Sequence, residues 1–320
     1  MGRYILKRIL QMVGIMVLVA VISFLLMEIL PGDRIYMMLG DEISQEEYDY
    51  AYRELKLDEP VWVRFALWLR DAAKGDLGTS YQYKIPVREL IEKRIPISLY
   101  FAVMSMLISF PVGVLFGMIA AVRRGTKLDA GITLLANVMA CIPTFWLGML
   151  FLYSLSLKTN LFPAFGFYWP WEGFGLHIKH LIMPLTCSTL IGIAGITRQT
   201  RSSMLEVIRQ DFVRTAYAKG LSESKVLRRH VFRNGLIPIV TMIGGNLAGL
   251  LGGSMFMESV FSIPGMGTLL VKSVTMRDMP VVQACVVITS LCSCVAFLIT
   301  DLLYCVVDPR ITLTGQKERN

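Results

Sequence analysis

Six long apolar blocks constrain this chain more than any other feature. They run over Ile9–Leu30, Ile95–Val122, Ala130–Leu157, Leu181–Thr197, Leu236–Met257 and Val281–Val307. A helix rising 1.5 Å per residue needs roughly 20 mostly apolar residues to cross the hydrocarbon layer, where the backbone must satisfy its own polar groups. The blocks therefore predict an all-α polytopic membrane protein with six transmembrane helices and both termini on one side of the membrane. A charged fraction of 18% agrees, since average globular chains carry about 25%. The net charge of +8 reads as loop charge beside a membrane and not as a nucleic-acid footprint.

The first block follows Arg3, Lys7 and Arg8, as a secretory signal would. Its apolar core is too long for one, and Glu28, Pro31 and Gly32 occupy the place of a small-residue cleavage site, so a retained anchor is expected. Cys141, Cys187, Cys285, Cys292, Cys294 and Cys305 all fall inside apolar blocks and read as small buried hydrophobes, not as a disulfide framework.

Charge sets the orientation. With the N-terminus inside, 18 of the 32 Lys and Arg residues are cytoplasmic, nine of them between Arg198 and Arg233, as the positive-inside bias requires. This divides the chain into an N-terminus and first span (1–30), an extracytoplasmic helical loop (31–94), a five-helix core (95–307) with an inner loop at 198–235, and a cytoplasmic tail (308–320). In the outer loop Ser44 and Glu47 have capping-box spacing, and Pro60 suits the first turn of a helix carrying Trp62, Phe65, Ala66 and Leu69. Phe162–Pro170 with Trp171 has the aromatic, proline-rich character of a membrane-interface segment.

The inner loop from Arg198 to Gly235 is longer than a connection requires. Asp211 is placed as an N-cap, Phe212–Lys219 as a two-turn helix, and Gly220 as its left-handed stop, with Lys219 favourable in the last turn. Val213 with Tyr217, and Phe212 with Ala216, are four apart and form an apolar patch that has to pack on protein, either a partner or the loop itself. A second helix is expected from Ser222 to just before Asn234-Gly235, exposing Arg228, Arg229, His230 and Arg233.

The run Arg214-Thr215-Ala216-Tyr217-Ala218-Lys219-Gly220-Leu221, followed by Arg233-Asn234-Gly235-Leu236-Ile237-Pro238, resembles the cytoplasmic signature loop of ABC importer permeases, in the version of the peptide and nickel transporter family. Further segments similar to that family follow in order along the chain. They are Leu30-Pro31-Gly32-Asp33, Gly75-Asp76-Leu77-Gly78 with Ser80-Tyr81, Ile142-Pro143-Thr144-Phe145-Trp146-Leu147-Gly148, Phe261-Ser262-Ile263-Pro264-Gly265-Met266-Gly267, and Asp301-Leu302-Leu303-Tyr304 with Asp308-Pro309-Arg310. The general pattern's leading Glu falls on Arg214 here.

The resemblance implies an ABC type-I importer permease fold in which Asp211, Phe212, Val213, Arg214, Thr215, Ala216, Tyr217, Ala218, Lys219 and Gly220 form a coupling helix seated on an ATPase subunit. It also implies a second, homologous permease as heterodimer partner, two ABC ATPases holding ATP and Mg, and an extracytoplasmic substrate-binding protein. Short peptides lead as cargo, with nickel or a metal chelate behind. The chain has no G-x-x-x-x-G-K-[ST] phosphate loop, so no nucleotide cofactor or catalytic residue is assigned to it. An intramembrane enzyme is disfavoured by the absence of H-E-x-x-H and G-x-S-x-G motifs. A self-sufficient channel or carrier would not need the capped inner helix. Glu28 and Asp301 are ionisable residues near span ends, where water or an Arg partner is expected. His177 and His180 have spacing compatible with a shared metal, but two ligands do not make a site. Gly and Pro in the second, third and fifth spans permit close packing and bends.

Overall fold

The computed structural model describes residues 2–29, 32–40, 42–232, 234–235 and 254–307. Its helices are α1 (Gly2–Ile29), α2 (Arg34–Leu39), α3 (Gln45–Glu54), α4 (Val61–Ala73), α5 (Val87–Val122), α6 (Lys127–Cys141), α7 (Thr144–Phe151), α8 (Phe174–Ile208), α9 (Asp211–Ala218), α10 (Glu223–Val226), α11 (Met266–Thr275) and α12 (Met279–Val307). Wider π-helical turns extend α7 over Leu152–Lys158 and α10 over Leu227–Phe232, and 254–260 is also helical.

Among the described residues, α1, α5, α8 and α12 are each long and apolar enough to cross a membrane. The expected single span Ala130–Leu157 is instead a bent pair. Helix α6 and the α7 segment meet at 92°, with Ile142 extended at φ −81°, ψ 123°. Pro143 is the cause: its ring pushes the preceding residue out of the helical region, and it offers no amide to continue the ladder. The block Leu236–Met257 lies outside the described residues up to 253, together with Pro238 and Gly244, Gly245, Gly249, Gly252 and Gly253. Leu30, Pro31, Arg233, Asp308-Pro309-Arg310 and the tail also lie outside them.

Helices overrun the apolar blocks. α5 has 36 residues and α8 has 35, because extending a nucleated helix adds one hydrogen bond per residue fixed.

The chain forms two compact units, 1–98 with 264–294, and 99–263 with 295–320. In the first, the Ser44–Glu47 capping box forms as expected. Glu28 at the end of α1 is paired with Arg34 and Arg64, and Phe24 packs edge-on against Phe65 at 5.5 Å. Pro60 caps α4 from outside it, and Trp62 points away from this packing, largely exposed. Fully buried Asp278 accepts hydrogen bonds from the Ser80 hydroxyl (2.5 Å) and the amides of Tyr81 and Gln82 (3.1 and 3.2 Å). Below this lies a core of Val87, Ile91, Met266, Leu269, Val281 and Cys285.

In the second unit, small residues bring α5 and α8 together. A Cβ on Gly117 would stand 2.4 Å from that of Thr200, and one on Gly113 would stand 2.7 Å from that of Ile196. Only glycine admits so close an approach.

Candidate functional site

Helix α8 continues well past its apolar stretch to Ile208, and the chain then turns through Arg209 and Gln210 into α9. Gln210, extended at φ −71°, ψ 147°, is the N-cap; the expected N-cap, Asp211, is the first helical residue. The turn out of α8 decides this, because the residue that must be extended to redirect the chain is the one before Asp211. A carboxylate in the first turn still complements the helix dipole. The exit follows the sequence expectation. Gly220 takes φ +77°, its amide bonds Tyr217 O at 2.9 Å, and Leu221 N reaches Ala216 O at 3.3 Å. A side chain there would be strained.

At 100° per residue, Phe212, Ala216, Val213 and Tyr217 occupy, in that order, an arc of about 140° on α9. The middle of the arc is spent on the chain itself. Val213 and Ala216, 1% and 5% exposed, join Val114, Ala121, Ile196, Met204, Val226 and Val231 in the core of this unit. Phe212 and Tyr217 stand at the two edges and remain 42% and 44% exposed. This corrects the expectation of one continuous patch, since the small residues seat the helix and the two rings flank a face left open. Asp211, Arg214, Thr215, Ala218, Lys219 and Gly220 are exposed on that face. Arg229 is exposed as expected; the side chains of Arg228 and His230, and Arg233, lie outside the described residues.

Helix α8, against which α9 packs, is tied to α6. Arg201 on α8 makes a two-pronged ion pair with Asp129 on α6, at 2.6 and 2.9 Å. Asp129 also accepts from the amide of Gly125 (3.0 Å) and the hydroxyl of Thr133 (3.3 Å). Neither Asp129 nor Arg201 stood out in the sequence. The available signal was a lone carboxylate opening an apolar block, which has to find a partner.

His177 and His180 lie within the first turns of α8 and have separate partners. His177 is buried, with Nδ1 2.5 Å from Tyr168 O and Nε2 2.9 Å from the Tyr100 hydroxyl. The carbonyl can only accept, so Nδ1 carries the proton and Nε2 accepts from the phenol. His180 Nδ1 bonds Leu176 O at 2.8 Å. Among the described residues no group of three or more His, Cys, Asp or Glu side chains comes together.

Residues 113–313 match the family model of the binding-protein-dependent transport system inner membrane component, and residues 1–102 match that of the N-terminal part of such membrane components. The oligopeptide transport system permease protein AppB of Bacillus subtilis (strain 168) is 38% identical over 314 residues, covering 97% of this chain and 99% of that protein. In fold, the chain is similar to a chain of the inward-facing MetNI methionine ABC transporter. The TM-score is 0.54 at 16% identity, over 68% of this chain and 96% of that one.

Proposed function

Since the chain belongs to the binding-protein-dependent transport system inner membrane components, the multi-pass permease subunits of ABC importers, we propose that it forms half of a pathway for short peptides and that α9 is the lever through which ATP hydrolysis drives it. An importer permease works with ATPase subunits and a binding protein. In this reading a second, homologous permease completes the pathway, two ATPases hold ATP and Mg, and the loop 198–235 faces the cytoplasm with both termini.

One observation carries the lever assignment: a short helix whose small apolar residues are locked into the end of a long span while two aromatic rings remain open on its free face. An ATPase groove that receives Phe212 and Tyr217 would grip α9 without loosening Val213 and Ala216. Closure of the two ATPases around ATP would then move α9, α8 and the parts of α5 and α6 bound to it as one body, exchanging inward- and outward-open states. The role of Asp211–Gly220 rests on this split face and on the family's signature run.

The peptide assignment rests on the close likeness to the oligopeptide permease. In the histidine pair that would favour a metal cargo, both nitrogens of His177 and Nδ1 of His180 are engaged within the fold. Titration calorimetry of the cognate binding protein against peptides of two to six residues and against nickel chelates tests it. Saturable binding of peptides is expected; binding of chelates alone would overturn the peptide reading.

A further inference from the structure

Helix α6 carries polar groups at Asp129, Thr133 and Asn137, one turn apart, and the same stripe continues to Cys141 at the Ile142–Pro143 bend. The stripe runs between two faces of different character. On one side Ala136 is packed inside the unit, while on the other Leu128 and Leu135 are exposed and apolar, as lipid requires. Two open clefts follow the stripe and share Asn137. The first, about 390 Å³, begins at Asp129, Thr133 and Arg201. The second, about 620 Å³, lies against Val138, Cys141, Ile142, Pro143 and Trp146 at the bend. Asn137 is exposed within an apolar block. An amide facing hydrocarbon is costly, so such residues face a water-filled path or a protein partner.

We infer that the Thr133–Asn137–Cys141 face of α6 lines the aqueous translocation pathway, from the Asp129–Arg201 ion pair at its cytoplasmic end to the bend at Pro143. The cargo class follows from the groups offered. Asn137 presents both a donor and an acceptor at the junction of the clefts, matching the amide of a peptide backbone, and Trp146 offers an apolar wall above it. The cargo assignment rests on the peptide reading above; the pathway assignment rests on the stripe and clefts alone.

The test uses the complete transporter in lipid vesicles, with Cys141 kept as its one thiol in this chain, and with Asn137→Cys or Leu135→Cys introduced in the background lacking it. A charged, membrane-impermeant thiosulfonate should modify Cys141 and the Asn137→Cys thiol at least about tenfold faster than the Leu135→Cys thiol, because the reacting thiolate needs water. The rate should differ between nucleotide-free and vanadate-trapped states, and excess dipeptide with its binding protein should slow it. Rates at Cys141 and position 137 no higher than at 135 in both states would overturn the inference, placing the face against lipid or the second subunit. State-dependent modification that no peptide slows would uphold the pathway and overturn the peptide cargo. Native Cys141 keeps the test intact if the Asn137 variant fails to assemble.

Discussion

Truncating Phe212 or Tyr217 should weaken attachment of the ATPase while leaving the permease fold unchanged. A Phe or Tyr side chain carries roughly 200 Å² of surface, and the two rings are 42% and 44% exposed, so each leaves about 85 Å² for a partner to cover. At about 25 cal/mol per Å² that is worth about 2 kcal/mol, or about thirtyfold in dissociation constant for Phe212→Ala or Tyr217→Ala. The rings sit at opposite edges of α9, so the double variant should approach the sum, about 4 kcal/mol. Val213→Ala should behave oppositely. Its side chain is 1% exposed within the chain's own core, so removing it should cost about 2 kcal/mol of permease stability, with little change in ATPase affinity once folded. Ala216→Asp would bury a carboxylate in that same core and disturb the seat of α9, so it does not isolate docking. Titration of the detergent-solubilised permease with ATPase, beside thermal unfolding of the permease alone, separates the cases. Unchanged affinity in the Phe212 and Tyr217 variants, or an affinity loss confined to Val213→Ala, would refute the split-face assignment.

Asp129→Asn should lower permease stability by about 2 kcal/mol, because the partly buried Arg201 loses its charged partner; thermal unfolding reads this, and the exchange Asp129→Arg with Arg201→Asp should recover part of it. Asp278→Ala leaves the Ser80 hydroxyl and two amides without an acceptor and should cost about 3 kcal/mol, seen as faster proteolysis between Gly75 and Pro86, with Asp278→Asn milder. Gly117→Val drives a side chain into Thr200 on α8 and should destabilise by about 3 kcal/mol. In the same unfolding assay Gly131→Val, where nothing lies within 4 Å, should be close to neutral.

The sequence legibly showed whatever depends on neighbours within a turn or two. The Ser44–Glu47 box and the left-handed stop at Gly220 follow from local spacing and local backbone sterics and stand where expected, and α1, α5, α8 and α12 fall on the blocks read as the first, second, fourth and sixth spans. The break inside Ala130–Leu157 had its signal in Pro143, but a proline in a span can kink or divide it, and only the packing around it selects a 92° bend. The N-cap of α9 moved from Asp211 to Gln210 because the exit angle of α8 chose the extended residue.

Sequence alone therefore determined four of the spans and a short capped helix in the loop 198–235. Tertiary structure decided which part of that helix is buried in the chain's own core and which part stays exposed, since an apolar arc of Phe212, Ala216, Val213 and Tyr217 is continuous in periodicity and is divided only when Val114, Ile196 and Met204 cover its centre. It also decided the pairings of Asp129 with Arg201 and of Ser80 with Asp278, separated by 72 and 198 residues. Helical periodicity carries information over a few turns, whereas a contact across such distances exists only once the helices have packed.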